Sequence, residues 1–217
     1  MTAANAVTLP VHGGLDQPVD RIDSAAASAA EGLATVEVND VDRTTLYRIA
    51  DGTLSPLQGP MAKADYDAVL AEAAIERGGS KWAWTIPIIL PVTDAEAAAC
   101  VDGAKVALTS GGAVFGVLEV DGGAYDWDTA AFVQAVYRTD RTDHPGARLW
   151  TSDERTKLVG GTITLVPEIL LALTDPQGIG HDCLTFNAIA APNLAQMIRT
   201  RTEIAQCFTD VRSNIRS

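Results

Sequence analysis

Among the side chains of this 217-residue chain, the three histidines His12, His144 and His181 are best suited to move a proton near neutral pH. His12 stands in a His-Gly-Gly turn, whose glycines open backbone angles closed to other residues and hold the ring on a loop. His144 precedes Pro145 in a polar run from Arg138 to Ala147. With Asp51, His12 and His144 make up the candidate acid-base set. Lys81 and Arg138 have the charge to hold a small anion, and Gln58 adds an amide to that substrate-binding set. A reaction that expels an anionic leaving group would ask for little more: orientation, one base and a cationic grip on that group. Taken singly, each of these residues is more simply read as an ordinary solvated side chain.

Other chemistries find less support. Cys100, Cys183 and Cys207 are widely spaced and odd in number, so neither a disulfide framework nor a zinc site follows. The histidines are too scattered to pair as ligands. The glycine pairs at 111–112, 122–123 and 160–161 lack the spacing of a phosphate or dinucleotide loop. Neither metal nor cofactor is expected.

Composition narrows the partners. A net charge of −12 opposes a nucleic-acid surface, which needs clustered lysine and arginine. The first residues lack a basic region followed by an apolar core, so no signal peptide is expected. The longest apolar runs, around Ile86–Val92 and Leu165–Leu173, are broken by prolines or by Glu168. A bilayer would need about 20 apolar residues, so no membrane span is expected and a reducing cytoplasm is the simplest setting.

The elements that must position these residues can be read in outline. Thr35–Val38 alternates as a short strand. Pro56 and Pro60 around Gly59 exclude a helix or central strand and feed a helix that begins near Lys63, with Tyr66, Val69, Leu70 and Ala73 at helical spacing. Lys81–Val92 reads as one buried or edge strand, its prolines favouring an edge or bulge. Asp94 is the expected cap of a short helix through Cys100. Ala104–Leu108 and Ala113–Val120 form a hairpin across Gly111-Gly112. Asp126 or Asp128 caps a helix with Phe132, Val133, Val136 and Tyr137 on one face. Asp23–Ala34 is a weak helix or a spacer. Far along, Leu194 to Ile215 carries an apolar stripe at helical spacing with four arginines against two acids. It fits a helix docked on its own domain or one offered to another chain.

Several stretches carry a family resemblance. Leu54 to Tyr66, Leu-Ser-Pro-Leu-Gln-Gly-Pro-Met-Ala-Lys-Ala-Asp-Tyr, resembles the Ser-Pro-Leu-x-Gly-Phe-Met and Asp-Tyr signature of the N-terminal PUA-like domain of ATP sulfurylase (sulfate adenylyltransferase). The His-Gly-Gly turn, the Trp84-to-Val92 strand, the Ala-Val-Tyr, Thr-Asp and His-Pro-Gly order after Glu119, and Leu158-Val-Gly-Gly-Thr-Ile are similar to that family too. The resemblance runs from about Leu9 to about Glu168. It implies an α+β, PUA-like domain over 1–168 with a small mixed barrel-like sheet and flanking helices. A divergent loop and C-terminal amphipathic helix would follow over 169–217. Pro60 departs from the usual Phe.

The family's catalytic motifs, Gln-x-Arg-Asn-Pro and His-x-x-His, have no counterpart in this sequence. No catalytic residue is therefore carried over, and the resemblance implies that the chain does not make adenosine phosphosulfate alone. The expectation is a subunit of a heteromeric biosynthetic enzyme handling sulfate or a sulfated or anionic metabolite, working with a second chain. The alternative is a non-catalytic scaffold, such as half of a split ATP sulfurylase. A sensing module for sulfate or nucleotide comes third. Leu54–Met61 and the C-terminal stripe are expected at the contact with that second chain.

Overall fold

A computed structural model describes residues 11–168, and the C-terminal stripe lies outside the described residues. In chain order the elements are α1 (Ala26–Ala29), β1 (Thr35–Glu37), α2 (Asp40–Ala50), α3 (Lys63–Glu72), β2 (Ala74–Arg77), β3 (Ser80–Ala83), β4 (Pro91–Val92) and α4 (Asp94–Ala97). They continue as β5 (Lys105–Ser110), β6 (Ala113–Val120), β7 (Tyr125–Asp126), α5 (Thr129–Tyr137), α6 (Pro145–Thr151), β8 (Lys157–Leu158) and β9 (Gly161–Leu165).

The central sheet has the order β1-β5-β6-β9 and is mixed: β1 runs parallel to β5, and the other pairs are antiparallel. Its core side carries Val106, Leu108, Phe115, Leu118, Ile163 and Leu165, packed against Leu46, Tyr47 and Ile49 of α2. The sequence places α2 well. Asn39 accepts from the Asp42 amide at 2.8 Å, Asp40 and Asp42 sit in the positive first turn, and Arg48 in the negative last turn. Tyr47 buries its ring 6.0 Å from that of Phe115 and donates its hydroxyl to the Val166 carbonyl at 3.1 Å. Burial pushes the Tyr47 hydroxyl well above its ordinary pKa.

The expected mixed α/β domain is present, but its sheets do not close into a barrel. The other strands form a separate three-stranded sheet, β4-β8-β7, and a β2–β3 hairpin. β4, β7 and β8 are only two residues long, too short to carry a continuous ladder around a barrel.

The proline loop is the strut between these sheets. The Ile163 amide donates to the Gln58 carbonyl at 2.9 Å and the Gly161 amide to the Pro60 carbonyl at 3.0 Å, while the Met61 amide donates to Ile88 at 2.8 Å. Prolines fit because only their carbonyls are used. Leu57 and Met61 are each 1% exposed, inside the chain's own core. The expectation that Leu54–Met61 forms an interchain contact is therefore corrected. Only Gln58 of that loop is exposed, because β9 and the Ile88 segment already cover the rest.

Smaller differences have local causes. Ala73, left-handed at φ 51°, ends α3, and the chain turns into the β2–β3 hairpin across Gly78-Gly79 rather than one strand to Val92. Thr93, one residue before Asp94, caps α4 through a reciprocal box with Glu96. Asp128 caps α5. The polar run from Arg138 ends in a helix, α6, which begins at Pro145. None of the described helices is long and apolar enough to cross a membrane.

Candidate functional site

A cleft of about 460 Å³ opens where the His-Gly-Gly turn meets the proline loop. Its walls are the turn at Gly13–Leu15, the loop from Pro56 to Ala62, Asp65 of α3, Arg77-Gly78 of the hairpin, Asp121, and Gly161-Thr162 of β9. A Cβ on Gly13, at φ +84°, would lie 2.3 Å from the Pro56 ring, so this approach needs glycine. Gly14 backs onto the Trp82 indole, where a Cβ would lie 3.1 Å away.

His12 is exposed at the edge of this structure. Its Nε2 lies 3.1 Å from the Ala83 carbonyl, to which it donates in the Nε2–H tautomer. The imidazole stands edge-on to Trp82 at 5.3 Å and tilted to Trp84 at 5.9 Å. Gln58 lines the cleft, and its Oε1 accepts from Arg21. The two sequence motifs thus come together here, 46 positions apart in the chain (His12 to Gln58).

The remaining sequence-chosen residues lie elsewhere. Lys81 is exposed and pairs with Glu72 of α3, whose hydrogen bond raises the ammonium pKa. Strand alternation turns it away from Trp82 and the His12 turn. Asp51 follows α2, accepts from the Thr53 amide at 2.9 Å and pairs with Arg48 at 2.9 Å. Arg138 ends α5 at φ 58°, in the left-handed region. His144 caps α6: its Nδ1 accepts from the Ala147 amide at 3.3 Å, and the ring lies 4.9 Å from Tyr137. Neither these four nor His12 lines the cleft; Gln58 does.

Sequence reasoning missed Asp65, Arg77, Asp121 and Thr162. Arg77 grips Asp65 in a two-pronged pair, Nη1–Oδ1 at 3.0 Å and Nη2–Oδ2 at 2.5 Å, and donating these hydrogen bonds to Asp65 raises its pKa. The two residues stand on different elements, α3 and β2, so no motif links them: Asp65 belongs to the Asp-Tyr signature, while Arg77 has only the Gly78-Gly79 turn beside it.

Another missed residue, Arg155, ties the body together. It donates to Asp42 at 2.9 Å, to the Pro91 carbonyl at 3.0 Å, and by a fork to Asp153 at 2.9 and 2.6 Å. Burial pushes the Asp42 carboxyl up more than Arg155 pulls it down. For Asp153, burial also pushes upward, but the Arg155 hydrogen bonds and charge outweigh it and hold the carboxyl below its ordinary value. Among the described residues no group of three or more His, Cys, Asp or Glu side chains is placed to hold a metal ion.

The architecture defines the class. Residues 10–168 match the PUA-like domain family, and the chain belongs to it. Its curated relatives are more particular. The chain is 54% identical to a sulfate adenylyltransferase of Pyropia yezoensis over 186 residues, covering 79% of this chain and 44% of that protein. It is 32% identical to a sulfate adenylyltransferase of Staphylothermus marinus over 160 residues, 71% of this chain and 40% of that one. The chain thus spans less than half the length of these relatives. A hexameric APS kinase from Thiobacillus denitrificans shares the fold, with a TM-score of 0.51 at 21% identity over 73% of this chain and 27% of that one.

Proposed function

We propose that this chain serves sulfate activation as the PUA-like part of a sulfate adenylyltransferase, a scaffold beside a nucleotidyl-transfer unit that holds the reacting groups. The observation that carries this reading is the 54% identity to the Pyropia enzyme across 79% of the chain. The cleft agrees with it. Adenylyl transfer rests on positioning and on cationic charge at the transferring group. The one guanidinium lining the cleft is already paired with Asp65.

The test is pyrophosphate release from ATP and sulfate. This chain alone should stay at background. Activity should appear when it is mixed with a second chain covering the part of the Pyropia relative beyond the match. Activity from this chain alone would overturn the scaffold role, and so would full activity from the second chain without it.

A second reading is favoured by the meeting of the His-Gly-Gly turn and the Gln58 loop at one cleft, with His12 exposed beside the lining residue Gly13. Here the chain is a subunit that eliminates sulfate from a sulfated metabolite together with a partner chain. His12, with Asp51 and His144 as the other candidates, would supply the base, and Gln58, Lys81 and Arg138 the grip. Sulfate release from sulfated substrates by the purified complex, lost in His12→Ala, would decide for it.

A further inference from the structure

Away from the cleft, the smaller of the two main cores is largely aromatic. Tyr66, Tyr125, Trp127 and Phe132 are buried in it, and the half-buried Tyr137 and Trp150 pack against it. The rings form a continuous series. Between centroids, Tyr125 lies 5.7 Å from Tyr66, Tyr66 6.2 Å from Phe132, Phe132 5.7 Å from Trp127, and Trp127 5.8 Å from Trp150. The series ends in a polar contact: the Trp150 Nε1–H donates to the Tyr137 hydroxyl oxygen at 3.1 Å. Gly146 makes room for that contact, since a Cβ there would lie 2.6 Å from the Tyr137 ring and 2.9 Å from its oxygen.

The other tryptophans and tyrosines are held differently. The indoles of Trp82 and Trp84 donate to the Arg77 and Ile86 carbonyls, and the buried Trp127 Nε1–H makes no hydrogen bond. The hydroxyls of Tyr47 and Tyr125 donate to the Val166 and Met61 carbonyls, which are too weakly basic to take the proton. Burial pushes the Tyr66 hydroxyl up to about 12, so it too holds its proton. Only Trp150 and Tyr137 join an indole nitrogen to a phenol oxygen by a hydrogen bond.

An electron lost from an indole of this series therefore has a defined replacement. Oxidised Trp127 has no hydrogen-bonded acceptor for its proton, stays cationic, and draws an electron from the adjoining Trp150. Tyr137 then supplies Trp150. Near neutral pH a tyrosyl radical lies below a tryptophanyl radical, so the transfer runs in this direction. A phenol that gives up an electron also gives up its proton, and the half-buried Tyr137 hydroxyl can release it to water.

We propose that Trp150 and Tyr137 form a radical outlet for this core. A neutral one-electron oxidising radical in solution takes an electron from an indole and becomes its anion. Both indoles end intact, the Tyr137 O–H bond is broken, one proton goes to water, and the unpaired electron rests on the Tyr137 oxygen. A solution thiol then gives that oxygen a hydrogen atom, which restores the phenol and leaves a thiyl radical. The buried indoles thus escape conversion into polar products that the core could not solvate. The proposal goes beyond the sulfate-activation reading and does not rest on it.

Pulse radiolysis of the full chain with the azidyl radical, which oxidises indoles, is the test. The tryptophanyl absorbance should decay as the tyrosyl absorbance grows, at a first-order rate independent of protein concentration. Tyr137→Phe and Trp150→Phe should each lose the fastest phase of that growth, whereas Tyr66→Phe should keep it. Glutathione should shorten the tyrosyl lifetime in proportion to its concentration. Near-ultraviolet circular dichroism establishes that each variant is folded. Absence of intramolecular transfer in the parent would overturn the proposal. So would an undiminished fast phase in a folded Tyr137→Phe or Trp150→Phe variant, its loss in a folded Tyr66→Phe variant, or a tyrosyl lifetime indifferent to glutathione.

Discussion

Replacing Gly59 by alanine tests whether the proline loop is a strut. Gly59 does not sit at a positive φ, so on backbone grounds alone alanine would stabilise the fold by about 0.4–1 kcal/mol through the unfolded chain. The structure reverses that sign. The new methyl would lie 1.9 Å from the Gly161 carbonyl oxygen and 3.2 Å from the Ile163 amide nitrogen, both of them backbone atoms that no rotamer change can move aside. The loop must lift from β9, and the hydrogen bonds from Ile163 to Gln58 and from Gly161 to Pro60 go with it. Each is worth about 0.5–1.5 kcal/mol. With overpacking strain of about 1–3 kcal/mol, the net loss after the entropic gain is about 1–6 kcal/mol. For a domain of this size that is a fall in midpoint of about 2–24 °C. Urea denaturation followed by tryptophan fluorescence, with an unchanged slope, is the assay. Gly112→Ala is the contrast: φ is +80° there but nothing lies within 4 Å, so only the left-handed strain of about 1–2 kcal/mol applies. If Gly59→Ala were neutral or stabilising, the strut would not exist.

Further outcomes follow from other contacts. Arg155→Met should cost about 3–5 kcal/mol at neutral pH, because buried Asp42 and half-buried Asp153 lose their shared partner. The adjoining Asp42→Asn change should recover part of that loss in a double-mutant cycle. Glu96 accepts from the Thr93 hydroxyl and amide and from the Glu37 amide at 2.7–2.8 Å. Burial pushes its carboxyl up, but these hydrogen bonds outweigh it and the pKa is lowered. Its stabilisation is then present above the unfolded value near pH 4.3 and is lost as pH falls through the folded one, so Glu96→Gln should weaken the fold at pH 7 and match the parent near about pH 2. Burial pushes the Cys100 thiol up to about 11 and leaves it 1% exposed, so native protein should resist iodoacetamide at pH 8 at that residue, by peptide mapping, until denaturant is added. His144→Ala should cost about 1 kcal/mol through the α6 cap, whereas His144→Asn should hold within about 0.5.

Much of the fold was legible in the residues. The α5 cap, placed at Asp126 or Asp128 and found at Asp128, the Gly111-Gly112 hairpin and the apolar face of α5 are local consequences of side-chain chemistry, and local chemistry is what a sequence displays. The motifs from Leu54 to Tyr66 and from Leu158 to Ile163 likewise marked the family before any coordinate was known. They did not reveal that each is the other's hydrogen-bond partner. That pairing joins residues about a hundred positions apart, and no periodicity records it.

The site divides along the same line. Sequence reading selects residues by what their side chains can do, and so chose His144 and Lys81. The tertiary structure spends the first on a helix cap and the second on an ion pair with Glu72. Asp65 and Thr162 lay inside the family motifs but marked the family rather than a site, and Arg77 and Asp121 carried no motif, because each meets the cleft only through neighbours on other elements. The sequence alone determined the family, the charge and the glycines that permit close approach. That Arg77 holds Asp65 and Arg155 holds Asp42 was decided only by folding, since electrostatic partnership depends on distance in space and not along the chain.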